Sequence, residues 1–159
     1  MAKAALKTPE SDLYGTDLYL WSEQQSALLR AGRWSEIDEL NVAEEIESLG
    51  GSQKSEIRSR LAVLILHLLK WEFQPEKRKY GWRTTIVEQR IRIDGLLDTS
   101  PSLRSWPDHV LQSAYRLAAL GASSETRLPE KTFPKTCPYT VKQILDLAFY
   151  PGPPEEDVV

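Results

Sequence analysis

The chain has 159 residues, 41% of them apolar and 27% charged, with 20 Lys and Arg against 23 Asp and Glu and a formal net charge of −3. That length suffices for one domain that folds without disulfides or metal, and a single cysteine, Cys137, excludes an internal disulfide and points to a reducing cytoplasm. The mild acidity argues against a dedicated nucleic-acid binder, Met1–Pro9 lacks the apolar core of a secretory signal, and no apolar run approaches the ~20 residues that span a bilayer.

Residues 1–11 are polar and uncapped, and in 151–159 three prolines and a glycine fill positions 151–154, so both ends are predicted to be flexible around one helical domain at 12–150. Thr16-Asp17 caps a first helix through Arg30-Ala31, with Leu18, Trp21, Leu28 and Leu29 on one face and Gly32 as its stop. Asn41-Val42-Ala43-Glu44 reads as a capping box opening a short acidic helix with Ile46 and Leu49, and Gly50-Gly51 after it is either a hinge or a tolerated weak point inside one long helix, with a kink or bend the favoured outcome. Ser52 to Trp71 is helical and holds the run Leu61–Leu69, apolar at every position except His67. A helix apolar around its whole circumference must be enclosed by other helices or by a second subunit.

Gln74-Pro75 ends that helix, because the residue before proline avoids the helical region. Trp82, Ile86, Gln89, Ile93 and Leu96 recur at helical spacing, and one interrupted helix is predicted from about 101 to 123 after Ser100-Pro101. The proline-rich stretch 128–138 is a loop, and Thr140-Val141-Lys142-Gln143 is a capping box for a short helix ending near Leu147. The fold class that follows is an all-α bundle of four or five helices around a central apolar helix at about 52–71.

The blocks Asp17-Leu18-Tyr19-Leu20-Trp21, Gly32-Arg33-Trp34-Ser35-Glu36, Asn41 through Gly50, His67-Leu68-Leu69-Lys70-Trp71, Trp82 through Ile86 with Gln89-Arg90, Phe133-Pro134 and Cys137-Pro138-Tyr139 occur in that order. Together they resemble the bacterial family called domain of unknown function 29 over about 17–150. The resemblance implies an all-helical fold and a cyanobacterial or proteobacterial source, and it carries no reaction, substrate or catalytic residue.

Charge divides the middle of the chain. Residues 36–56 hold seven acids against Lys54, and 70–92 hold seven cations against Glu72, Glu76 and Glu88, which predicts that Glu44, Glu45 or Glu47 pairs with Arg83 or Arg90. Those five with His67 form a candidate polar cluster. Glu44, Glu45, Glu47 and His67 have metal-ligand chemistry, but a straight helix would separate Glu47 from His67 by about 30 Å, and neither histidine follows a glutamate by three residues, so no metal and no cofactor is expected. His67 reads as a neutral ring that is hydrogen-bonded and packed.

The segment 71–92 interleaves Trp71, Phe73, Tyr80 and Trp82 with cations, the composition of a single-stranded nucleic-acid surface, whereas the helical spacing of Trp71 and Trp82 makes them core. The functional expectation is a small cytoplasmic protein-interaction module or accessory subunit, with an unidentified protein partner or a homodimer through Leu66 and Leu69. Single-stranded nucleic-acid binding is second, and an enzyme with a Glu/His/Arg pocket third.

Overall fold

In the first region, Asp17 opens a helix because its carboxylate accepts the free backbone N–H of Leu20 at 2.9 Å. The computed structural model describes residues 13–154, which form six α-helices and no strand. They are α1 (Leu13–Thr16), α2 (Leu18–Arg30), α3 (Glu39–Phe73), α4 (Tyr80–Thr99), α5 (Trp106–Thr126) and α6 (Val141–Leu145). The fold is all-α, with four long helices and two of four and five residues. Residues 1–11, predicted to be flexible, and 155–159 lie outside the described residues. No described helix is long and apolar enough to cross a membrane.

The described residues group into two compact units meeting at Gly51/Ser52, where the sequence reads as one domain. In the first unit, α2 ends as predicted. Gly32 takes a left-handed φ of 68°, Arg33 N–H reaches Leu28 O at 3.0 Å and Gly32 N–H reaches Leu29 O at 3.2 Å, which closes the last turn. Trp21 is buried against Tyr14, with ring centroids 4.9 Å apart. Asp38 gathers the polar contacts: its carboxylate accepts Trp21 Nε1 at 3.2 Å and Asn41 Nδ2 at 2.7 Å, and its N–H donates to Gln25 Oε1 at 2.8 Å.

The start of α3 differs from the sequence reading. Asn41 is not the cap; the helix starts at Glu39, and Asn41 lies inside its first turn with its amide on Asp38. Gly50-Gly51 does not interrupt the helix either, and α3 runs 35 residues to Phe73. Two glycines cost about 2 kcal/mol relative to alanine, but each further residue of an existing helix adds a hydrogen bond without a new nucleation step.

In the second unit, Ile57, Leu61, Leu64, Ile65, Leu68 and Leu69 of α3 are fully buried with Ile86 and Ile93 of α4, Ala114 and Ala122 of α5, and Ile144 of α6. Enclosure is incomplete, because Val63 is 38% exposed and Leu66 and His67 are half-buried. Leu69 is covered within the chain, and Leu66 packs so closely on Gly121 that a Cβ there would come within 2.5 Å of Leu66 Cδ1.

The predicted interrupted helix at 101–123 is two elements. Pro101–Leu103 form one 3-10 turn, and α5 starts at Trp106 with Pro107 in its first turn, where a missing N–H costs no hydrogen bond. Its C-cap is Arg127, a non-glycine residue at φ 61°. At α6 both halves of the predicted capping box are present: Thr140 Oγ1 accepts Gln143 N–H at 3.2 Å, and Gln143 Oε1 accepts Thr140 N–H at 2.9 Å. Residues 151–154, expected to be flexible, are held. Arg78 donates to the carbonyls of Pro151 at 3.3 Å and Pro153 at 2.8 Å, and Pro151 is buried.

Candidate functional site

The six residues of the predicted polar cluster have different surroundings. Glu45 accepts the Tyr14 hydroxyl at 2.8 Å, and that hydrogen bond to a carboxylate pushes the Tyr14 pKa up to about 12. Glu44 and Glu47 are exposed. His67 Nδ1 lies 2.9 Å from Val63 O, one turn back on α3, and burial lowers the imidazole pKa, so the ring is neutral near pH 7. The pair that shares a partner is Arg83 and Arg90, whose guanidinium carbons lie 5.1 and 5.3 Å from the centre of the Tyr150 ring.

Arg90 is 2% exposed and its donors go to backbone rather than to a carboxylate: Nε to Ile144 O at 2.7 Å, and the terminal nitrogens to Phe149 O at 2.7 Å and Leu147 O at 3.5 Å. Desolvation lowers its pKa, yet an arginine keeps its charge. Its position on α4 thus fixes the chain after α6. The ion pair predicted between the acidic helix and Arg90 is replaced by these carbonyl contacts.

The basic aromatic segment follows the same logic. Trp71 is buried between Tyr150, at a ring distance of 5.2 Å, and the Arg78 guanidinium, at 4.9 Å. Arg78 Nε also donates to Trp71 O at 2.9 Å. Trp82 is buried beneath Lys70 Nζ at 4.5 Å, and Lys70 pairs with Glu125. Phe73 packs on Phe133 at 5.2 Å, and Glu72 accepts the Tyr139 hydroxyl, a contact that together with burial raises the Tyr139 pKa. Of the four rings a nucleic-acid strand would stack on, Tyr80 alone is exposed, at 66%. Cys137 is half-buried and its thiol is pushed up by burial, the opposite of an activated nucleophile. No group of three or more His, Cys, Asp or Glu side chains among the described residues could hold a metal ion.

Two apolar surfaces were not visible in the periodicity. The first lies in residues 13–51, where the predicted inner face Leu18, Trp21, Leu28, Leu29 buries Trp21 but leaves Leu18 and Leu29 exposed. Tyr19, Leu20, Trp34, Leu40, Ile46 and Leu49 are exposed as well; Ile46 stands at 64% and Leu49 at 70%. This stretch carries eight acids against Arg30 and Arg33, and Arg33 pairs with Glu36.

The second surface is a groove of about 790 Å³ on the second unit. Leu117 and Leu120, both exposed on α5, form its floor with Phe133 and Pro134, and Arg58, Arg116, Lys131 and Lys135 surround it against a single acid, Glu130. Tyr115 holds its wall by donating to Pro134 O, and burial raises the Tyr115 pKa to about 12. A second groove, about 590 Å³, follows the α4 face from Arg83 to Arg92. The α5 groove joins helix and loop positions 10 or more residues apart, and the loop 127–140 that brings them together has no sequence period to read.

No curated protein and no solved structure matches the chain. A family model matches residues 13–150, the same span that builds the helices and both surfaces, and by that match the chain belongs to the family described as Domain of unknown function DUF29.

Proposed function

We propose that this protein is a small interaction module, an accessory subunit of a cytoplasmic assembly, that docks through the acidic, apolar surface of residues 13–51. The observation that carries the reading is the exposure of eight large apolar side chains there, Leu18, Tyr19, Leu20, Leu29, Trp34, Leu40, Ile46 and Leu49, in a stretch with a large excess of acids. Apolar surface of this extent on a soluble domain marks a contact site. Ile46 and Leu49 lie one turn apart on α3 with Glu44, Glu45 and Glu47 beside them, which suits a partner that offers an apolar strip flanked by cations.

The competing readings have less to stand on. Single-stranded nucleic acid needs free rings between cations, and Trp71, Phe73 and Trp82 are engaged inside the protein. An enzyme of the Glu/His/Arg type needs those groups to converge in a pocket, and Glu45, His67 and Arg90 each have a separate structural partner.

The test is affinity capture with purified wild type and the Ile46→Asp/Leu49→Asp variant, followed by reconstitution of any stoichiometric binder from purified components. Loss of that binder from the variant, with an unchanged circular dichroism spectrum, supports the reading. Equal recovery by both proteins, or tight salt-sensitive binding of single-stranded DNA or RNA by both, overturns it.

A further inference from the structure

The two surfaces described above are opposites in charge and alike in apolar content. Over residues 13–51 there are eight acids and two bases, and over 52–154 there are sixteen bases and ten acids. Glu39, Glu44 and Glu47 on α3 form no ion pair among the described residues, and neither do Arg58, Arg116, Lys131 and Lys135 around the α5 groove. Four cations around an exposed apolar surface, with Glu130 as the single acid among the lining residues, suit an acidic amphipathic segment.

We infer that the α5 groove of one copy receives the exposed α3 face of a second copy, Ile46 and Leu49 with the half-buried Val42 beside them, with its glutamates set against Arg116, Lys131 and Lys135. This deepens the interaction-module reading, on which it rests, by naming the partner as a further copy of the same chain. Helix geometry allows it. Ile46 and Leu49 are three residues apart, as are Leu117 and Leu120, so two short apolar ridges can interdigitate while the charged residues beside them pair across the contact. The contact joins different surfaces of the two copies, so it builds a reciprocal dimer, a larger closed ring or an open chain.

Charge exchange tests it with the full chain. The first variant is Glu44→Lys/Glu47→Lys and the second is Arg116→Glu/Lys135→Glu; all four positions are exposed, so both proteins keep their fold, which circular dichroism checks. Wild type should show a mass in sedimentation equilibrium that rises with concentration and falls at high salt, because exposed charges are screened. Each variant alone should be monomeric, since its two surfaces now carry like charge. Mixed in equal amounts, the variants should associate again, because each supplies the complement the other has lost. A wild-type mass that stays at the monomer at every concentration, self-association that both variants retain, or a mixture that stays monomeric overturns the inference. A monomeric wild type that still loses a binder on Ile46→Asp/Leu49→Asp leaves the interaction-module reading in place with a different partner.

Discussion

Residues 13–51 and 52–154 are built from similar helices, yet they use apolar side chains in opposite ways. On α3 one stripe runs through both. In the first region it carries Ile46 and Leu49, both exposed, and in the second Ile57, Leu61, Leu64 and Leu68, all fully buried. Polar side chains follow the same division. The first region leaves Glu44 and Glu47 in water, whereas the second takes Arg78, Arg90 and Lys70 out of it and gives each a partner. Burying a charge is costly unless its donors are satisfied, so the second region's arginines show where the fold is most tightly determined. The difference is that the fully buried apolar side chains lie in 52–154, whereas 13–51 exposes most of its large apolar side chains.

The strongest way to break this division is to remove a buried cation. Arg90→Ala takes charged donors from the carbonyls of Ile144, Leu147 and Phe149 and should cost about 3–5 kcal/mol, measured by urea denaturation. Glu47→Ala, on an exposed face of the first region, should stay within ~0.5 kcal/mol. Equal effects of the two would remove the distinction.

The stripe itself offers the next test. Leu64→Ala opens a cavity in a fully buried site and should cost about 2–5 kcal/mol. Leu49→Ala, on the same helix but 70% exposed, should change stability by less than ~0.5 kcal/mol while weakening the proposed docking. A large loss at Leu49 would mean that the first region is itself part of a packed core.

What the sequence made legible follows the same line. Regular, buried elements were readable: the all-α class, the α2 cap at Asp17, the stop at Gly32, the end of α3 before Pro75 and the Thr140 capping box all depend on contacts within four residues. The start of α3 was misread because Asp38, whose hold on the helix start comes from contacts with Trp21 and Gln25 in α2, outweighs the local box at Asn41. The arginines were visible as charge but not as clamps, since their acceptors are backbone carbonyls some 50 to 75 residues away, and a carbonyl has no signature in sequence. Arg90, one member of the candidate polar cluster, bonds to carbonyls.

Gly50-Gly51 sharpens the boundary between the regions. Nothing lies within 4 Å of where a Cβ would sit on either glycine, so alanine can enter without a clash. Gly50→Ala/Gly51→Ala should stabilise α3 by up to about 1 kcal/mol per site, seen as higher helicity and slower proteolysis near the pair. A loss of stability would show that the pair serves as a bend rather than as a weak point of a straight-through helix.

The smallest expected effect is in the pH profile, where His67 and Tyr14 should respond at opposite ends. In the second region, burial lowers the His67 pKa from 6.5, so the unfolded chain binds the proton more readily than the folded one. The stability that comes from keeping this ring neutral is fully present above pH 6.5 and is lost as pH falls through the lower folded value. His67→Leu should flatten that acid limb. In the first region the sign reverses, because the Glu45 carboxylate raises the Tyr14 pKa from 10.0 to about 12. Its contribution is present below pH 10.0 and disappears as pH rises through about 12, and Tyr14→Phe should reduce the alkaline limb, to which the raised Tyr115 and Tyr139 of the second region also contribute, while leaving the acid one. Thermal melts of the three proteins from pH 5 to 12 separate the two, because His67→Leu should change the acid slope alone and Tyr14→Phe should lessen the alkaline slope alone. If either substitution flattened both limbs, the regions would not titrate independently and the division drawn between them would fail at the level of energetics.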